Sequence, residues 1–173
     1  MRQAGFTLIE MMIVVALMGI IASIAAPNLQ TFMKNSHLTG ASEELINSLG
    51  LAKSEAIKRG ESVTICNSAN PSADAPTCKT GTPDWRTGWV VFVDADGDKQ
   101  LDAGETVLRV TQAIKNVDSI TSNSNQLAIR FRSVVLAGSS DTNITFCNSG
   151  ATARIVTVDK MGRISRTQSG TCS

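Results

Sequence analysis

Five carboxylates fall within twelve residues of this chain: Asp94, Asp96, Asp98, Asp102 and Glu105. They occupy positions 1, 3, 5, 9 and 12 of a loop of the EF-hand kind, where hard oxygen donors surround a Ca²⁺ ion. Carboxylates so close together repel one another unless a cation neutralises them. Two features depart from the pattern. Lys99 stands where that loop carries glycine, and strand-like segments flank it instead of helices. The same residues also read as an acidic, solvated hairpin loop that hydrogen-bonds to itself. Ca²⁺ is the only cofactor this sequence suggests.

The four cysteines, Cys66, Cys78, Cys147 and Cys172, are spaced 12, 69 and 25 apart. No Cys-x-x-Cys pair exists, and His37 is the only histidine, so the set does not fit zinc. Four cysteines allow three disulfide pairings, and four buried free thiols are the alternative. Disulfides persist outside the cytosol, which places the domain beyond the inner membrane.

Charge is polarised along the chain. Residues 28–109 carry eight basic and eleven acidic side chains, whereas 110–173 carry seven and three. Arg130, Arg132, Arg154, Lys160, Arg163 and Arg166 make up the basic set. Such a set could hold DNA phosphates through counterion release. It also reads as ordinary surface arginines or as contacts between subunits. A net charge of +1 over 173 residues excludes a wholesale polyanion binder. No nucleophile–base pair or phosphate loop appears, so no enzyme is expected. Trp85 and Trp89 read as core residues around a turn.

These residues need elements to hold them. Residues 11–33 contain no charge over 23 positions, roughly 35 Å of helix against a bilayer core of about 30 Å. Leu38, Ala41, Leu45, Leu49, Ala52 and Ala56 then follow at spacings 3, 4, 4, 3 and 4, a helix with one buried stripe. Lys58, Arg59 and Gly60 end it. One helix is therefore expected over 6–59. Strands are expected at 61–67, 88–94, 106–111, 126–132, 143–148, 154–159 and 163–167, with a polar loop at 122–125. A helix followed by a run of strands is α+β, with an antiparallel sheet packed on the helix.

Glu10 opens the apolar run. A carboxylate there is costly in a membrane and such residues are usually functional. If the chain were cut after Gly5, the new amine would sit on Phe6, one helical turn from Glu10. The carboxylate could pair with that amine or with the amine of a neighbouring copy. The alternative is an acid tolerated at the membrane edge.

The run Gly5-Phe6-Thr7-Leu8-Ile9-Glu10 resembles the leader junction of type IV pilins and type II secretion pseudopilins. Pro27 falls where those proteins carry a helix-kinking proline. Further matches follow in order: residues 48–60, Trp85 to Phe92, the acidic loop, 105–109, Phe146-Cys147 and Met161-Gly162-Arg163. Together they resemble the FimT/GspH group of minor pilins over nearly the whole chain.

The resemblance implies cleavage by a prepilin peptidase between Gly5 and Phe6, with methylation of the Phe6 amine. It implies a leader at 1–5, a transmembrane and fibre-core helix at 6–27 and a globular domain at 28–173. The chain would wait in the inner membrane as a single-pass protein, its domain in the periplasm. It would then join other pilins in a helical fibre, periplasmic or extracellular, near the tip or in its initiation. The alternatives are a DNA-binding subunit used in transformation and the main repeating subunit. Of the disulfide pairings, Cys66–Cys78, closing a loop, and Cys147–Cys172, tying down the tail, are favoured. The second resembles the C-terminal closure of pilins. DNA-binding members carry Gly-Arg-x-Arg near the tail. Here Gly162-Arg163-Ile164-Ser165-Arg166 puts the second arginine one place late, on the opposite strand face.

Overall fold

The computed structural model describes residues 7–132 and 141–172. One helix, α1 (Leu8–Arg59), precedes eight strands. They are β1 (Val63–Asn67), β2 (Trp89–Val93), β3 (Val107–Thr111), β4 (Ser119–Ser122), β5 (Ala128–Phe131), β6 (Thr142–Cys147), β7 (Thr152–Val158) and β8 (Ile164–Thr171). The chain divides into two compact units, Met1–Met33 and Lys34–Ser173.

The second unit holds two antiparallel sheets where the sequence suggested one. Their orders are β3-β2-β1-β5 and β4-β6-β7-β8. Two strand assignments change with them. Where the sequence suggested no strand and a polar loop over 122–125, residues 119–122 form β4. Its only fully buried residue is Ile120, too little for an alternating pattern. β8 runs on to Thr171 rather than stopping at 167. It is an exposed edge strand, held by pairing with β7 and not by apolar alternation.

The expected stripe on α1 is buried from Leu38 to Ala56. It packs against Val63, Ile65, Trp89, Val91 and Phe131 of the first sheet. From the second sheet it meets Ile120, Ile144, Phe146, Val156 and Val158. Trp85 and Trp89 are fully buried, with ring centroids 6.3 Å apart. Each indole N–H has an acceptor, Gln126 O at 3.1 Å and Ser48 Oγ at 3.0 Å respectively. A buried indole needs such a partner.

Two adjacent acids on α1 reach different sheets. Glu44 Oε1 accepts from Arg109 Nη2 of β3 at 2.8 Å. Glu43 pairs with Arg166 of β8. Both partners lie on edge strands, so the helix is tied to the outer margin of each sheet.

β1 and β2 are buried on both faces. Their second face carries a smaller core of Cys66, Val90, Phe92 and Ala128, with Cys78 and Leu101 packed on it. The loops that supply Cys78 and Leu101 therefore cover the first sheet. Gly88 lets the start of β2 lie against the end of β3. A Cβ there would lie 2.4 Å from Thr111 O, and its φ of 110° suits glycine alone.

Candidate functional site

Three groups of residues bear on function: the start of α1, the loops over the first sheet, and the scattered arginines. Thr7 and Glu10 form a reciprocal capping box. The Glu10 N–H donates to Thr7 Oγ1 at 3.3 Å, and the Thr7 N–H donates to Glu10 Oε2 at 3.3 Å. Glu10 thus satisfies an orphan donor at the helix start, a role the sequence reading missed. The signal was present as Thr-x-x-Glu before an apolar run. Gly5 and Phe6, the expected cleavage pair, lie outside the described residues.

Beyond the cap, α1 continues through Pro27. Every described side chain from Leu8 to Lys34 is exposed. These include Ile13, Leu17, Ile20 and Phe32, each more than half exposed. An 18-residue window has mean hydropathy 2.5 with none of it buried in the chain. By length and composition the helix can cross a membrane.

The cysteines join as Cys66–Cys78 and Cys147–Cys172, with Cα atoms 5.5 and 5.6 Å apart. The first closes the loop that covers the smaller core. The second fastens the end of β8 to β6, where the Cys172 N–H also donates to Ala151 O at 2.9 Å.

The acidic loop brings three of its five carboxylates together. Oxygens of Asp94, Asp96 and Asp98 lie within 4.8 Å of one another. Glu105 does not join them. Its Oε1 accepts from the Ala95 N–H at 2.9 Å and its Oε2 from the Asp102 N–H at 3.0 Å, so it staples the two ends of the loop. Asp102 lines a separate cleft of about 380 Å³ with Asp74 and Val107. The EF-hand analogy therefore holds for positions 1, 3 and 5 and fails at 9 and 12. Lys99 adopts the left-handed φ of 70° that such loops give to glycine.

The basic residues are not one group. Arg130 lies on β5 of the first sheet and Arg132 just beyond it; Arg154 and Arg166 lie on β7 and β8 of the second, with Lys160 and Arg163 beside them. Arg154 is buried and donates to Thr152 O at 2.8 Å. Arg166 pairs across the strands with Val156, a core-facing position, and so turns toward Glu43 on α1. Arg163 anchors the β7–β8 turn, its Nε 2.7 Å from Asp159 Oδ2. That bond holds the Asp159 carboxyl below its ordinary value and raises Arg163. Arg132 and Lys160 are exposed.

A family model described as type II transport protein GspH matches residues 41–162, well over half of the chain. The chain belongs to the GspH family. A second model, the prokaryotic N-terminal methylation motif, matches residues 1–26. Among curated relatives, a fimbrial protein of Pseudomonas aeruginosa is 45% identical over 69 residues, 40% of this chain and 43% of that protein. A probable minor fimbrial protein of Dichelobacter nodosus is 44% identical over 69 residues, 40% and 42% of the two chains. The chain thus spans under half the length of the relatives it matches. The crystal structure of the type IV minor pilin FimU from Pseudomonas aeruginosa superposes with a TM-score of 0.62. It covers 82% of this chain and 99% of FimU at 20% identity, which establishes a shared fold.

Proposed function

We propose that this chain is a minor subunit of a type IV pilus or a type II secretion pseudopilus, acting in assembly initiation or at the tip. The observation that carries this reading is the pairing of a GspH domain with a methylation-motif helix whose described apolar side chains, 8–23, are all exposed. In this reading residues 1–5 are a leader removed by a prepilin peptidase, and Phe6 becomes the methylated N-terminus. Residues 6–27 hold the chain in the inner membrane while 28–173 fold in the periplasm.

The physical logic of assembly follows from the helix. Its apolar side chains are equally content among lipid tails or among identical helices, because hydrocarbon and packed Leu, Ile and Val are similarly apolar. Moving it from membrane to fibre core therefore loses little hydrophobic stabilisation. Glu10 would bias the transfer, since its carboxylate can meet the Phe6 amine of a neighbour away from water, where charge pairing is strong.

Quantitative mass spectrometry of sheared, purified fibres tests this. The chain should be present far below the amount of the main subunit. Its absence from fibres would contradict the proposal. Its presence as the dominant subunit would replace "minor" by "main".

A further inference from the structure

The proposed fibre role makes no use of the three clustered aspartates. We infer that Asp94, Asp96 and Asp98 form a divalent-cation site of the Ca²⁺ class on the loop-covered face of the first sheet. Asp94 anchors it. This residue follows β2 directly, is fully buried, and its Oδ2 accepts from the Thr64 hydroxyl at 2.5 Å. Its Oδ1 is buried with no hydrogen-bond partner among the described residues. A buried carboxylate oxygen left unpaired is costly, and a bound cation removes that cost.

The spacing suits one ion. Ca²⁺ holds its oxygen ligands at about 2.4 Å, so two ligands on opposite sides stand about 4.8 Å apart. The three carboxylate oxygens lie within 4.8 Å of one another. Asp96 Oδ1 accepts from the Asp98 N–H at 3.2 Å, and Asp98 Oδ1 from the Gln100 N–H at 2.6 Å. Each therefore has a second oxygen to offer. The ligand set is all hard oxygen and sits in a loop, which suits the flexible coordination of Ca²⁺ better than the strict octahedron of Mg²⁺.

Arg130 is the competing cation. It lies across from Thr64 on the same sheet, and its guanidinium rests against Gly97, where a Cβ would be 2.6 Å from Nη1. Its nearness weakens the site without filling it. Affinity belongs to the class of extracellular calcium modules, on the order of 10⁻⁴–10⁻³ M.

The test is thermal unfolding of the full-length protein in detergent, stripped with EDTA and then given about 5 mM Ca²⁺ or Mg²⁺. Binding to the folded state alone should raise Tm by roughly 5 °C with Ca²⁺ and by clearly less with Mg²⁺. The double variant Asp96→Asn, Asp98→Asn should keep its EDTA Tm, since both side chains are exposed, and lose the rise. Arg130→Gln should keep or enlarge the rise. Absence of a Ca²⁺ rise in the wild type, an equal rise in the double variant, or an equal rise with Mg²⁺ would each overturn the inference. So would a rise that disappears in Arg130→Gln.

Discussion

The two halves of α1 obey different physics although they are one helix. From Lys34 to Arg59 a narrow stripe is buried against two sheets, and the remaining faces carry charge. From Met11 to Ala22 the helix is apolar all round, and every side chain is exposed. The first arrangement is complete within the chain. The second is not, because a helix apolar on every side needs lipid or other helices around it. The proposed function uses the part that the fold of this chain leaves unsatisfied.

Equal truncations in the two halves should have unequal effects. Leu49→Ala should cost about 2–5 kcal/mol of domain stability, because it leaves a cavity where helix and sheets meet. Ile13→Ala should leave the thermal unfolding of the domain unchanged in detergent. Equal losses would mean that the exposed half is packed against its own domain.

Glu10 sharpens the same contrast, because it serves both the helix start and the proposed fibre. Glu10→Ala removes the capping box, at about 1 kcal/mol of local helix stability, and the charge. Glu10→Gln keeps a capping-box side chain and removes only the charge. If charge pairing with the Phe6 amine drives assembly, both variants should insert in the membrane and both should be poorly incorporated into fibres. Normal incorporation of Glu10→Gln alone would assign the residue to capping.

The smallest expected effect lies in the complete half. Arg163 holds the Asp159 carboxyl below its ordinary value. The unfolded chain then takes up the proton at higher pH than the folded one. Stability from this pair is full above the ordinary carboxylate value and is lost as pH falls through the lowered one. Arg163→Ala should bring the Asp159 titration, followed by carboxyl NMR shifts, back up toward the ordinary value. Overall stability should hardly change, since the pair is at the surface.

Much of this was legible because local periodicity carries it. The stripe from Leu38 to Ala56 repeats at helical spacing, and the charge-free run is visible by counting. What was hidden depends on pairing between distant residues. The split into two sheets is decided by partners such as Val63 with Phe131 and Ile120 with Phe146, which no local pattern announces. Glu43 and Glu44 look alike in sequence, yet each ties a different sheet. Arg166 looked like half of a basic motif until its register with Val156 turned it toward the helix. In the acidic loop, spacing correctly grouped Asp94, Asp96 and Asp98. It could not show that Glu105 spends both oxygens on the loop backbone.

The proposed function requires that the exposed half of α1 be retained and delivered into a fibre rather than removed. Intact-mass spectrometry of the mature protein tests this directly. The mature chain should lack Met1 to Gly5, begin at Phe6 and carry one added methyl group. A mature chain beginning after Ala26 would contradict the proposed function, because the apolar half would then be a discarded signal sequence.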